Sequence, residues 1–474
     1  MNNTLNARRS IILLLASVFV VFMGIIVIKA NSTVVLATAG AVAMGLSMFW
    51  GIQWNDIERD LMDSLRSMLP SILILLAVGM LVGSWILAGT VPVMMYYGLK
   101  ILTPSTFLVA AALICGLMSV MVGTSWGTIS TVGVALMGVS VGLGIPLHYT
   151  AGAVVVGAIF GDKLSPLSDT TIMASAVSDV DIVEHIKYML FTTLPGYIIS
   201  LILYFIIGSR FSGGTIEGGN LELILNTLQS YFNLNPVLLL PPVVVLFLIY
   251  KRKPTLPVFA IGITLGGALA MIFQGSSILS VAGALNTGFT TSTGVDLVDT
   301  MLLRGGLRSM LGTVALLIAA GVFGSPLRTS GVIQTLLDKI TSSVKNGKGM
   351  SAAIYLLHGG LFSITGSYYV TFAVLAPMVR PLYDKFGLHR KNLSRTLEDT
   401  GTAFAPIVPW SVTGAFIAST LGVETVKYIA FAPMTYIGII LGLVYAITGF
   451  KVAKTDTTST NSVDINLVGV GESI

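Results

Sequence analysis

Apolar runs of about 20 residues recur along nearly the whole chain, each long enough to cross roughly 30 Å of hydrocarbon as a helix. In the first half they lie at 10–30, 33–52 and 69–88, with the amphipathic piece WNDIERDLMDSLRSML between the second and third. The next run, 105–143, is broken by GTSWGT at 123–128. Its arms, about 16 to 18 residues each, are marginal for a crossing, which predicts a re-entrant hairpin. Then 147–178 is interrupted by GDKLSPLSDTT, and 185–208 closes a first unit spanning 1–208. The stretch 209–234, with SGG and EGGN, reads as an extracytoplasmic solvent loop. The same order returns over 235–449: runs at 235–250 and 255–273, an amphipathic insert, 310–326, a broken segment at 350–385, an interrupted helix at 393–421 and a last run at 426–449. The tail, 450–474, is rich in Thr, Ser and Asn and reads as a disordered cytoplasmic end.

The repeat is legible residue by residue. Leu65-Arg66-Ser67-Met68-Leu69 recurs as Leu307 to Leu311. Gly123, Thr128, Gly144, Pro166, Ser168 and Thr170 recur as Gly366, Thr371, Gly387, Pro409, Ser411 and Thr413, each 243 positions on. Val-Glu-x-x-Lys-Tyr-x-x-Phe runs from Val183 to Phe191 and again from Val423 to Phe431. Each half holds five full spans plus a hairpin, and an odd number of crossings turns the second copy upside down. Inverted repeats of this kind mark secondary transporters. With the N-terminus taken as cytoplasmic, 19 of the 26 Lys and Arg fall inside, six outside and Lys163 within the membrane. That asymmetry is what the positive-inside rule demands, and it places both termini in the cytoplasm.

Composition narrows the class further. Only 10% of the 474 residues are charged and 54% are apolar, against roughly 25% charged in a soluble domain. The expected fold is therefore an all-α polytopic membrane protein: about 10 transmembrane helices plus two re-entrant hairpins, in two inverted repeats, with two unwound helices. The period-two pattern of a membrane barrel is absent. Its net charge of +5 is what cytoplasmic loops carry, so the expected partner is the lipid bilayer and not nucleic acid. Residues 10–30, preceded by Arg8 and Arg9, exceed a signal-peptide core and lack a small-residue cleavage site, so they read as a retained span. Cys115 is the sole cysteine and the four histidines form no ligand-spaced motif, which argues against metalloenzyme chemistry and any bound cofactor.

The chemistry concentrates in the interruptions. Asp162, Lys163 and Asp169 are ionisable side chains inside an otherwise apolar crossing, each expensive unless paired or solvated in a cavity. Gly161 and Pro166 break the helix and free its carbonyls and amides. Carboxylates, carbonyls and the hydroxyls of Ser165, Ser168 and Thr170 are hard oxygen ligands suited to a small alkali cation or a proton. The blander arrangement pairs Asp162 with Lys163 and uses Asp169 to cap the next half-helix. The hairpin tip offers Thr124, Ser125, Trp126 and Thr128, and its counterpart offers Ser367, Tyr368 and Thr371. Tips that meet an interrupted helix at mid-membrane would complete a cavity. The second interruption, Ala405 to Thr413, supplies Trp410, Ser411 and Thr413 but no acid; its helix carries Glu398 and Asp399 instead, as gating or proton-linked groups or as partners for Arg395 and Lys391. His358, alone in an apolar span, reads as a satisfied core residue.

These residues carry a resemblance. GDKLSPLSDTT at 161–171 is similar to the signature of the NhaC-type sodium/proton antiporters, and LSRTLEDTGTAFAPIVPWSVTGAF at 393–416 resembles the matching segment of that family's second half. The resemblance implies a fold with a scaffold part and a mobile part made of two hairpins and two unwound helices. It also implies a Na⁺-coupled antiporter of the bacterial plasma membrane, serving pH homeostasis. That family includes exchangers coupling malate and protons to lactate and sodium, so a small organic acid stays open as a partner, as does a homodimer. On this reading Na⁺ and H⁺ alternate at Asp162 and Asp169, with Ser168 and Thr170 completing the Na⁺ site. A carboxylate cargo would use hairpin amides and half-helix N-termini, although no buried Arg sits beside the motifs to clamp it. A channel would show rings built by oligomeric symmetry, and a hydrolase would need a base beside Ser125 or Ser168; neither feature is present.

Overall fold

In a computed structural model, residues 5–28, 30–211 and 218–455 are described. Apart from one bridge between Leu388 and Lys454, every regular element among them is helical. The first half contains α1 (Ala7–Phe22), α2 (Ser32–Phe49), α3 (Trp54–Leu87), α4 (Thr90–Ile101), α5 (Pro104–Val122), α6 (Ser125–Gly142), α7 (Leu147–Leu164), α8 (Asp169–Ser178) and α9 (Ile182–Ser209). After α10 (Gly218–Tyr231) come α11 (Leu240–Tyr250), α12 (Thr255–Gln274), α13 (Ile278–Thr287), α14 (Asp296–Leu302) and α15 (Leu311–Thr329). Then follow α16 (Val332–Ser343), α17 (Gly347–Thr365), α18 (Tyr368–Lys385), α19 (Lys391–Thr400), α20 (Val412–Leu421) and α21 (Pro433–Thr448). Among the described residues eight helices are long and apolar enough to cross a membrane, or ten if two bent pairs each form one span. The protein is an all-α polytopic membrane protein.

The repeat is written into helix ends. Helices α5 and α17 begin and end 243 positions apart, and α6 and α18 end at Gly142 and Lys385, the same offset. Both hairpins break at a glycine in the left-handed region, Gly123 (φ 75°) and Gly366 (φ 66°), where a Cβ would be strained. Packing repeats as well: α2 lies on α15 and α12 lies on α3, so each half's second scaffold helix rests on the other half's third. The pairs α3–α15 and α9–α21 cross the same relation.

The most extensive helix–helix contact among the described residues is between α5 and α7. A Cβ on Gly157 would sit 2.3 Å from the Ala112 carbonyl oxygen, and one on Gly161 2.4 Å from that of Gly116. Small residues let the two backbones touch, which is how helices associate where lipid offers no hydrophobic drive. Gly157→Val is therefore expected to force the helices apart at about 1–3 kcal/mol or more, seen as a lower thermal midpoint of the detergent-solubilised protein. An unchanged midpoint would show that the contact is not needed. Outward faces stay apolar, as Leu15, Phe19, Ile202 and Phe205 illustrate.

Three expectations change. The stretch 209–234, expected as a loop, carries α10, because Ile224 and Leu228 recur at helical spacing and are buried while Gln229 bonds the Tyr96 hydroxyl at 2.6 Å. The amphipathic piece before the third span is no separate element: it runs into that span as the 34 residues of α3. At about 1.5 Å per residue that helix exceeds a bilayer's hydrocarbon thickness. In the tail, Lys451–Thr455 fold back on the α18–α19 turn, with the His389 amide donating to the Ala453 carbonyl (3.0 Å) and the Thr455 amide to that of Gly387 (3.1 Å). The rest of the expected disordered segment, 456–474, lies outside the described residues, as do 212–217 of the connector.

Candidate functional site

The first interrupted helix stops at Leu164, crosses Ser165–Ser168 without helical bonding and restarts at Asp169. Asp162 lies in the last turn of α7 with its carboxylate buried. One of its oxygens accepts from the Ser125 hydroxyl and the other from the Ser168 hydroxyl, both at 2.6 Å. Ser125 is the first residue after the hairpin break and Ser168 immediately precedes α8, so both interruptions converge on one carboxylate. The Thr170 and Ser168 hydroxyls are 3.0 Å apart, and the Thr171 hydroxyl donates to the Asp162 carbonyl at 3.2 Å. Asp169 is the first residue of α8, where the helix dipole favours a negative charge. It accepts from the Thr170 amide (2.9 Å) and from the Tyr369 hydroxyl at the opposite hairpin tip.

Both carboxylates line one cavity of about 70 Å³, together with Ile74, Thr124, Ser125, Trp126, Thr255, Tyr368 and Tyr369. Asp162 is enclosed and Asp169 is exposed, so the cavity has a floor and a mouth. The space has room for a partly dehydrated ion and its remaining waters. Carboxylate oxygens and hydroxyls there are the donor set for such an ion. No cluster of three or more His, Cys, Asp or Glu suited to a transition metal occurs among the described residues.

Lys163 faces the other way. Its ammonium meets an Asp399 oxygen at 2.7 Å, both side chains being almost fully buried, so the pair joins α7 of one half to α19 of the other. Asp399 also accepts from the Thr192 and Tyr355 hydroxyls, each at 3.0 Å. The Asp162–Lys163 pairing considered from sequence is replaced by this one, and Asp399 does not reach the carboxylate cavity. Nor is Asp399 a partner of the interfacial cations: Lys391 bonds Glu184 (2.7 Å), while Arg395 donates to the Lys451 carbonyl (3.1 Å) and lies over the Tyr188 ring. Glu398 is buried, with Thr402 beside its carboxylate.

The other candidates divide. Thr124 lines the cavity, and Ser165 bonds the Val120 carbonyl (2.7 Å), tying the interruption to α5. Thr128 donates back to the Thr124 carbonyl. Of the second-half candidates Tyr368 reaches the cavity wall, while Ser367, Thr371, Trp410, Ser411 and Thr413 do not line it. Ser411 caps α20, Thr371 meets His358 (3.0 Å), and Trp410 donates to the Ser363 carbonyl (2.7 Å) beside an apolar groove of about 780 Å³. Ser367 begins the turn into α18, and the Thr413 hydroxyl is buried beside that of Tyr368. Thr255 and Tyr369 line the cavity but were not singled out from sequence as site residues; for Tyr369 the only signal was its place at a tip.

A repeated helical membrane fold whose hairpin break and helix interruption converge on a buried carboxylate defines a secondary transporter. The family model described as the Na⁺/H⁺ antiporter family matches residues 3–177 and 157–450, and the chain belongs to that family. It is 35% identical over 446 residues (94% of this chain, 96% of the relative) to the Na⁺/H⁺ antiporter NhaC of Alkalihalophilus pseudofirmus. It is 37% identical over 409 residues (86% and 87%) to the malate-2H⁺/Na⁺-lactate antiporter of Bacillus subtilis. An arginine/ornithine antiporter, ArcD, of Halobacterium salinarum is 34% identical over 403 residues (85% and 82%).

Proposed function

We propose that the protein is a Na⁺/H⁺ antiporter that moves cytoplasmic Na⁺ outward against entering protons by alternating access in a bacterial plasma membrane, with both termini cytoplasmic. One observation carries the reading: two carboxylates, Asp162 and Asp169, share a cavity of about 70 Å³ at the interruption of a membrane helix. Na⁺ and H⁺ compete for the same oxygens, so exchange needs no second site. Ser168, Ser125, Thr170 and Thr124 replace part of the ion's hydration shell, each by a hydroxyl on a broken or capped helix end. Ser165 holds the interruption against α5 so that these oxygens stay in register.

A second reading, co-transport of a small organic acid, has support in the names of equally similar relatives. Against it stands the lack of an arginine on the cavity wall. Proteoliposomes carrying an outward Na⁺ gradient separate the two: internal pH should shift on Na⁺ alone, with no requirement for malate, lactate or an amino acid. Asp169→Asn should abolish the shift while the protein remains folded by thermal melting. A Na⁺ response that appeared only with an organic acid would reverse the ranking, and full exchange by the Asp169 variant would remove that residue from the site.

A further inference from the structure

The two hairpin tips reach into the opposite half at matched positions, yet they are held there by different forces. Trp126 and Tyr369 are each the second residue of a returning arm, 243 positions apart. Helix α6 meets α20, and in the same relation α18 meets α8. Trp126 lies flat on Phe416 of α20, ring centroids 4.2 Å apart and planes 7° from parallel. That contact is dispersion between apolar faces, and an arriving ion leaves it untouched. Tyr369 instead donates its hydroxyl to an Asp169 carboxylate oxygen at the start of α8. Such a bond depends on that oxygen's charge and lone pairs, and a cation taking the same oxygen competes for both.

We propose that Tyr369 is a latch released by cargo. It rests on the Na⁺ exchange reading above. With the site empty, the hydroxyl ties hairpin α17–α18 to the first interrupted helix; Na⁺ or a proton on Asp169 takes up that oxygen's charge and frees the tip. The stacked pair at the other tip stays as a fixed pivot. Once released, the Tyr369 hydroxyl has the neighbouring Tyr368 hydroxyl as a partner, so no donor is stranded. The device supplies what an exchanger needs: the empty carrier is held still and the loaded one is free, so return without cargo is slow.

The test uses the full-length protein in proteoliposomes, following radioactive Na⁺ efflux with and without external Na⁺. In the unaltered protein, external Na⁺ accelerates efflux because the loaded carrier returns faster than the empty one. Tyr369→Phe is expected to lower half-saturating Na⁺ by about threefold to tenfold, the equilibrium value of one lost charge-assisted bond at a partly solvated position. It should also raise efflux into Na⁺-free medium toward the accelerated rate, erasing the dependence on external Na⁺. Tyr369→Gln, which keeps a donor at the tip, should retain that dependence. If Tyr369→Phe fails to fold, Tyr369→Leu against Tyr369→Gln makes the same comparison. Unchanged half-saturation with full acceleration in the donor-less variant overturns the latch. Failure of the unaltered protein to move Na⁺ overturns the exchange reading instead, which keeps the two outcomes apart.

Discussion

Lys163→Met is expected to destabilise the protein by about 3–5 kcal/mol, and adding Asp399→Asn should recover most of the loss. The single change strands Asp399, whose carboxylate is fully buried. The hydroxyls of Thr192 and Tyr355 still donate to it, but two neutral donors do not replace an ammonium at 2.7 Å. Asp399→Asn alone strands the ammonium and is expected to be comparably harmful. With both charges gone nothing ionised remains to be desolvated, and the Asn amide oxygen keeps at least one hydroxyl donor. Chemical unfolding in detergent, run as a double-mutant cycle, measures the coupling. Additive losses would show that the pair is not a unit, despite its geometry. The same cycle bears on movement, because the pair joins the first interrupted helix to the second: a stable double variant that transports slowly would assign it a part in keeping the two helices moving together.

What could be read from sequence was whatever the chain states locally or states twice. Apolar run lengths carried the spans, since the bilayer imposes a length on each helix. Gly123 and Gly366 carried the hairpin breaks, because a left-handed turn favours glycine and the repeat names the position in both halves. Asp162 and Asp169 were conspicuous because a charge inside a membrane demands a reason. Pairings across the fold were not legible: Lys163 finds Asp399 236 positions away, and no spacing rule links α7 to α19. Proximity in sequence misled there, since Asp162 adjoins Lys163 but points to Ser125 and Ser168. The absence of an acid from the second interruption was legible; what the structure adds is that Ser411, which repeats Ser168, caps α20. Helix α10 escaped notice because the glycines before it drew the eye from the buried spacing of Ile224 and Leu228.

Asp162→Asn is expected to abolish exchange entirely while leaving the fold intact. Of the two cavity carboxylates this one lies on the floor, closed off from solvent, with a hydroxyl on each oxygen. An amide of the same shape fills the space and keeps hydrogen bonds, since a hydroxyl of Ser125 or Ser168 can turn to accept from its NH₂ group. It carries no charge to bind Na⁺ and no proton to trade for it. Its effect should also be visible at equilibrium, without any transport. A cation that binds only the folded protein raises its stability with concentration, by about 2.7 kcal/mol at a hundred times its dissociation constant. Melting the purified protein across a Na⁺ series, with K⁺ holding ionic strength constant, should give a rising midpoint for the unaltered chain and a flat one for the variant. Equal slopes would place the ion elsewhere, and a flat series in both would mean that the cavity does not select Na⁺ in this conformation. Asp169→Asn, at the exposed mouth, should keep a shallower slope, because the enclosed carboxylate still offers a charge. That ranking, floor above mouth, follows from the unequal burial of two acids only seven positions apart.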